Sequence, residues 1–210
     1  MAYVKAADRE VQIVAAARRV LAAVGVSATT LRAVAAEAEI PLGTLHYVFP
    51  SKEKMLRAVI AAVIGEVVDT VRADLQLDRG VEHAIRQGGT RVWDALVEGD
   101  VGTQIMQYEL AMYSARTQDS GGLARLQYEQ YTALITELCE QAADSAGERC
   151  AVDFGTLGRL CLAVIDGLIV QYVANPDPER AERDLDRAFD MVVAFADPQP
   201  VVNAQARRRR

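Results

Sequence analysis

Thr44, His46 and Tyr47 are the residues of this chain whose types and spacing could do chemistry, and that chemistry is hydrogen bonding rather than bond making. They stand in the run Leu42-Gly43-Thr44-Leu45-His46-Tyr47-Val48-Phe49. Helical spacing turns Leu45 and Phe49 inward there and leaves Leu42, Gly43, Thr44, His46 and Tyr47 outward. A hydroxyl, an imidazole and a phenol on one face can meet base edges or phosphate oxygens, and Leu42 can touch a thymine methyl. With no Arg, Asn or Gln on that face, direct base readout is sparse and shape readout gains weight. Catalysis is harder to build. His46 and His83 are the two histidines, so a His-based dyad or metal site would have to take His46 out of this face. Asp166, inside the apolar run 160–170, is the acid to watch for a carboxylate-only site, although a capped or interface-paired Asp explains it more simply.

The elements that position this face can be read from caps and breaks. Thr29 and Thr30 precede Leu31, Val34, Ala35 and Ala38, whose spacing predicts a short helix starting at a Thr cap. Glu39-Ile40-Pro41 interrupts it, because proline lacks an N–H and disfavours helical angles just before it while suiting the first turn of a new helix. That second helix runs from about 41 to 48. Pro50-Ser51 ends it, and Ser51 caps the next helix through Lys52 and Glu53, with Lys54 where a capping box has an acid. A preceding helix over about 8–24, capped by Asp8 and stopped by Gly25, puts Ile13, Val14, Ala17, Val20, Leu21 and Val24 on one face to hold the pair. Helix, tight turn, helix is the arrangement whose second member enters the major groove. Tyr47 OH, the Thr29 and Thr30 hydroxyls with the amides that begin their helix, and Lys52 are placed for phosphates, while the threonines also serve as caps. Lys5 and Arg9 are a basic arm or simply a solvated terminus.

The order Gly25, Thr29-Thr30, Val34-Ala35-Ala36, Glu39-Ile40-Pro41, Gly43-Thr44-Leu45-His46-Tyr47-Val48-Phe49 and Ser51-Lys52-Glu53 resembles the N-terminal domain of the TetR family of transcriptional regulators. The resemblance covers about the first 60 residues, with two departures: Glu39 stands for the usual turn glycine and His46 for the first of two common aromatics. It implies a repressor whose last two helices form a four-helix dimer interface.

Bulk properties fit such a division of labour. With 210 residues, 51% of them hydrophobic, the chain can bury a full core in one or two domains and is not a disordered protein. The net charge of −6 is unevenly spread. Residues 1–58 carry eight Lys/Arg and five Asp/Glu, net +3; residues 59–206 carry eleven against 24, net −13; Arg207 to Arg210 add +4. A locally cationic end on an acidic body favours docking on DNA in one orientation. Cys139, Cys150 and Cys161, without a Cys-x-x-Cys pair, and the lack of a signal peptide or long uncharged apolar span, predict a cytoplasmic protein with reduced thiols and no membrane partner. Their equal 11-residue spacing invites a metal or redox reading, but free Cys is commonly a small buried hydrophobe and Gly147 breaks any single helix joining them. We expect neither a metal nor a cofactor.

The remainder reads as helix throughout. A long helix over about 52–75 is apolar on a broad face, Met55 to Val71, as a mechanical connector requires. Breaks near 80, 98–99, 118–122, 146–147 and 175–178 delimit about five further helices, near 81–97, 100–116, 122–145, 153–174 and 178–196. The fold class is all-α, about nine helices: a helix-turn-helix DNA-binding domain over 1–51, a helical effector-binding and dimerisation domain over 52–197, and a basic tail over 198–210. Trp93, Met106, Met112, Tyr113, Tyr128 and Tyr131 have the chemistry of an adaptable apolar pocket, although such residues at helical spacing are more often core. Gly88-Gly89 inside a helical pattern marks a kink or a close approach to a ligand or helix. Leu157, Val164, Ile165, Leu168, Ile169 and Tyr172, with Leu185, Phe189, Val192 and Val193, make the last two helices more apolar than a monomer needs, which predicts a two-fold dimer interface. The expectation is a non-enzymatic, homodimeric transcriptional regulator that binds a pseudo-palindromic double-stranded operator and answers to a small, largely apolar effector. The competing classes are an all-α small-molecule enzyme and an adaptor without sequence-specific DNA binding.

Overall fold

The structure, a computed structural model, describes residues 6–73, 75–95, 101–116 and 122–201. Nine α-helices follow one another among these residues, with no element that a longer strand would need. Helix α1 is Ala6–Ala28, and its backbone leaves helical angles at Gly25 (φ 76°, ψ 167°), the stop expected there. Helix α2, Leu31–Glu37, starts under Thr30, whose Oγ1 accepts the Ala33 N–H at 3.1 Å. It ends at a turn in which the Glu39 N–H donates to Ala36 O (3.0 Å) and the Ile40 N–H to Ala35 O (3.0 Å). This paired closure puts Glu39 in the left-handed region at φ 53°, where glycine is the unstrained residue. Helix α3, Leu42–Val48, follows Pro41, and α4, Lys52–Arg72, begins where Ser51 Oγ accepts the Lys54 N–H at 3.2 Å.

Helix α4 stops three residues short of the expected 75, and a 3-10 turn, Leu77–Arg79, leads to Gly80. Helix α5 is Val81–Trp93, α6 Val101–Arg116 and α7 Leu123–Ala146. Parts of the breaks expected near 98–99 and 118–122, the Lys5 arm and the Arg207–Arg210 tail lie outside the described residues. Helix α8, Phe154–Ala174, is capped by Asp153, which accepts the Thr156 N–H at 2.8 Å; hydrogen bonding by the Thr156 side chain and then by its N–H holds the carboxyl below the usual carboxylate range. Helix α9, Pro178–Ala196, starts under Asp177 with proline in its first turn. Two-residue strands, β1 (Glu148–Arg149) and β2 (Gln199–Pro200), pair antiparallel; they are too short for an alternating pattern to have announced them.

The helices form two compact units, Met1–Val67 with Leu96–Glu129 and Val68–Ala95 with Gln130–Arg210. In the first, α1 packs on α2, α3 and α6, burying Ile13, Leu21, Val34, Leu45, Met55, Leu56, Met106, Leu110 and Leu123. In the second, α5, α8 and α9 pack together. Trp93 meets Tyr172 edge-on at 5.4 Å and 70°. A Cβ on Gly89 would lie 2.4 Å from the Phe189 ring, so the glycine pair marks a close approach of α5 to α9. Glu148 closes the start of α5 by accepting the Val81 N–H at 2.8 Å.

Candidate nucleic-acid interface

The face singled out by sequence is built on a buried spine. Leu45 and Phe49 are buried, while His46 and Tyr47 are exposed, Tyr47 at 86%. Gly43 is exposed with open space where a Cβ would sit, and Leu42 and Thr44 are half-buried at the first turn of α3. Thr30 is exposed and already committed to its cap. Two residues expected at phosphates lie otherwise. Thr29 is 1% exposed, and its hydroxyl donates to Gly25 O at 2.7 Å, so its side chain belongs to the turn. Lys52 is half-buried, its Nζ donating to Val26 O at 2.5 Å and lying 5.5 Å from the centre of the Tyr113 ring. Burial pulls that ammonium below the usual lysine range.

Both backbone polar groups of Val26 are therefore held by side chains. The Val26 N–H donates to Glu109 Oε2 on α6 at 2.9 Å, and its carbonyl takes the Lys52 ammonium at the start of α4. A Cβ on Gly25 would stand 2.9 Å from Glu109 Oε2, and φ is +76° there, so the carboxylate reaches the backbone because the residue is glycine. Gln12 Nε2 donates to Ala38 O at 2.8 Å, and Arg19 pairs with Glu37 at 2.6 Å, fixing α1 to α2. The contact of Glu109 with Val26 is not legible in the sequence, because a single acid on a helix carries no pattern until its partner is in view.

The residues expected to line an effector pocket do not behave alike. Met106, Met112, Tyr113 and Tyr128 belong to the first unit, Trp93 and Tyr131 to the second. Met106 is buried, Tyr113 and Tyr128 half-buried, and Met112 is 58% exposed, so Met112 faces solvent rather than an interior. Trp93 is buried against Tyr172 within the second unit. What sequence reading missed is polar: Gln104, Gln107 and Ser114 on α6 and Gln127 on α7 are buried. The positions 104, 107, 111 and 114 share a helix face, a signal hidden because its residues are amides and a hydroxyl while Ile105 and Met112 point outward.

The dimer residues need a similar correction. Leu157, Ile165, Ile169, Leu185, Phe189 and Val192 are buried inside the second unit, and Val164, Leu168, Tyr172 and Val193 are half-buried. The outward apolar side chains are Leu160 and Val170 on α8 and Met191 and Phe195 on α9. Phe154–Ala174 and Ala7–Ala28 are long and apolar enough to cross a membrane by length and composition alone. These two stretches also pack as helices of the units, and each carries charged residues, among them Arg18, Arg19, Arg159 and Asp166. Cys139 is buried and Cys150 and Cys161 half-buried; desolvation pushes the Cys139 and Cys161 thiols up to about 12. Thiols so disfavoured as thiolates suit packing, and no group of three or more potential metal ligands occurs among the described residues.

Residues 13–59 match the family of bacterial regulatory proteins, tetR family, and residues 86–194 match the BetI-type transcriptional repressor, C-terminal, family. The chain belongs to the TetR family of bacterial transcriptional regulators. It is 26% identical over 183 residues to the HTH-type nicotine-responsive transcriptional repressor HdnoR of Paenarthrobacter nicotinovorans, covering 87% of this chain and 93% of that one. Among solved structures it is similar to GusR of Salmonella enterica, with a TM-score of 0.72 at 20% identity, covering 90% of this chain and 95% of that one. It is also similar to Bacillus subtilis FadR in complex with stearoyl-CoA, with a TM-score of 0.71 at 17% identity, covering 88% and 98%.

Proposed function

We propose that the chain is a homodimeric, one-component repressor of the cytoplasm that binds a pseudo-palindromic operator through α3 and is released by a small, largely apolar effector. The observation that carries this reading is the outward face of α3, where exposed His46 and Tyr47 stand over buried Leu45 and Phe49. Residues 1–51 serve as the DNA-binding domain, 52–197 as the effector-binding and dimerisation domain and 198–210 as a basic tail. Leu42, Gly43, Thr44 and His46 meet base edges, and Tyr47 and the start of α2 at Thr30 meet phosphate. Two copies present their recognition helices about 34–36 Å apart, one turn of B-DNA. The unpartnered side chains Leu160, Val170, Met191 and Phe195 form the dimer contact. The relatives' names point to the ligand class: HdnoR is nicotine-responsive and FadR was solved with stearoyl-CoA.

The Glu109–Val26–Lys52 grip supplies the coupling, since a shift of α6 disturbs the turn from which the reader departs. Effector and operator then need only favour different positions of that turn, a difference of a few kcal/mol. Fluorescence anisotropy on a palindrome upstream of the protein's own gene tests the reader. His46→Ala and Tyr47→Phe each weaken binding several-fold, and unchanged affinity in both sinks the proposal. Light scattering tests the assembly: Val170→Asp with Met191→Asp yields monomers that bind the operator poorly, and a wild-type monomer is the contrary result.

A further inference from the structure

Helix α7 has an apolar stripe in which Leu123, Leu134 and Leu138 are buried, and at one of its positions, four residues after Leu123, stands Gln127. Gln127 is 7% exposed, and its Oε1 is buried with no hydrogen-bond partner. An unpaired amide carbonyl in an interior is costly, and a leucine would serve packing better, so the glutamine is unexplained by folding. Its surroundings are marked too. Ser114 Oγ on α6 accepts the Ala124 N–H at 3.0 Å, which sets the first turn of α7 against the end of α6, and Gln127 lies one turn further on. On α6, buried Gln107 Nε2 donates to buried Gln104 Oε1 at 3.2 Å. Gln127 Oε1, by contrast, is buried without a partner among the described residues.

We propose that Gln127 is the polar recognition group of the effector site, and that the largely apolar effector presents one N–H or O–H donor to Gln127 Oε1. The inference rests on the reading of the chain as an effector-responsive regulator. A site built to satisfy a donor discriminates strongly against an analogue lacking it, because the buried oxygen is then left unpaired. The interior is held ready for the ligand at a cost to the empty protein, the trade commonly met at binding sites.

The test uses the full-length protein, a Gln127→Leu variant and two matched probe pairs at millimolar concentration: indole with 1-methylindole, and phenol with anisole. In each pair methylation removes the donor and keeps the shape. Without probe, Gln127→Leu melts about 2–4 °C above wild type, because an unsatisfied buried oxygen is gone. Indole or phenol raises the melting temperature of wild type, the methylated partner leaves it unchanged, and Gln127→Leu responds to neither. A variant that melts below wild type, methylated probes that stabilise as well as their parents, or no response of wild type to any donor overturns the inference. Operator anisotropy without probe separates this failure from that of the regulator reading: wild type and Gln127→Leu bind the operator alike, and a wild type that binds no operator sinks the reading itself.

Discussion

The two compact units have different interiors. The polar residues buried as a whole among the described residues, Thr29, Gln104, Gln107, Ser114 and Gln127, belong to the first unit, while the second buries the unpartnered His83 Nε2. Side chains also hold backbone groups in the first unit, Thr29 on Gly25, Lys52 and Glu109 on Val26, Gln12 on Ala38, as Glu148 and Asp153 do in the second. The second unit is packed from Leu157, Ile165, Ile169, Leu185, Phe189 and Val192, with ion pairs such as Arg86 with Glu82 and Asp190 at its surface. Buried hydrogen bonds hold an interior through direction and partner, whereas an apolar interior is fixed by shape. The first unit is thus held by specific polar contacts and the second by apolar packing.

The largest effect should come from breaking shape in the second unit. Phe189→Ala removes a buried ring and costs about 3–5 kcal/mol. Gly89→Ala alone forces a methyl against that ring and costs about 1–3 kcal/mol. In the Phe189→Ala background the same methyl has room, and alanine's better helix propensity makes the change neutral or stabilising. Thermal melts of the four proteins in the cycle show the reversal of sign; additive losses would mean that the glycine answers to something other than the ring.

In the first unit the corresponding blow is electrostatic. Glu109→Ala strips the Val26 N–H of a charged acceptor while the Lys52 bond to Val26 O remains, a loss of about 1.5–3 kcal/mol. Urea unfolding measures that loss, and anisotropy should show operator affinity falling with it. Gly89→Ala, by contrast, should leave operator affinity unchanged at temperatures where the variant is folded. Equal effects of the two substitutions on DNA binding would erase the functional distinction between the interiors.

How far the sequence could be read follows the same divide. Caps and breaks are local chemistry, so Thr30, Ser51 and the proline-bounded α9 were legible, as was the inward turn of Leu45 and Phe49. Helix α8 is apolar on more than one side, so periodicity could not tell its core residues from Leu160 and Val170, and the expected dimer residues came largely from the core. Helix α6 misled in the opposite way, since its interior face carries Gln104, Gln107 and Ser114 and its exterior Ile105 and Met112. Glu109 and Gln127 are meaningful only beside what they touch or fail to touch.

A smaller change sharpens the comparison at the reader itself. Glu39 takes left-handed angles at φ 53° in the turn between α2 and α3, at a position where a Cβ costs about 1–2 kcal/mol. Glu39→Gly relieves that strain and loses part of the gain to the greater freedom of the unfolded chain, leaving about 1 kcal/mol, or about 2–4 °C. Removing an acid from this exposed turn also steepens the attraction to phosphate, so operator affinity should rise modestly at low salt and the gain fade at high salt. A melting temperature that falls would mean the Glu39 side chain does something the strain argument omits.

The smallest effects separate the units by the sign of their response to alkali. Cys139, in the second unit, has its thiol pushed up to about 12 by burial, so between the ordinary thiol range and that value the unfolded chain ionises while the folded one stays neutral. Stability is fully present below the unfolded value and declines as pH rises, by less than about 1 kcal/mol per thiol at pH 9. Lys52, in the first unit, is displaced downward, so the folded state gives up its proton first and its contribution rises with pH below 10.5. Urea midpoints from pH 7 to 10 should therefore fall less steeply for Cys139→Ala than for wild type, and more steeply for Lys52→Met. Identical slopes for both variants would mean that neither interior holds its titratable group as tightly as burial implies.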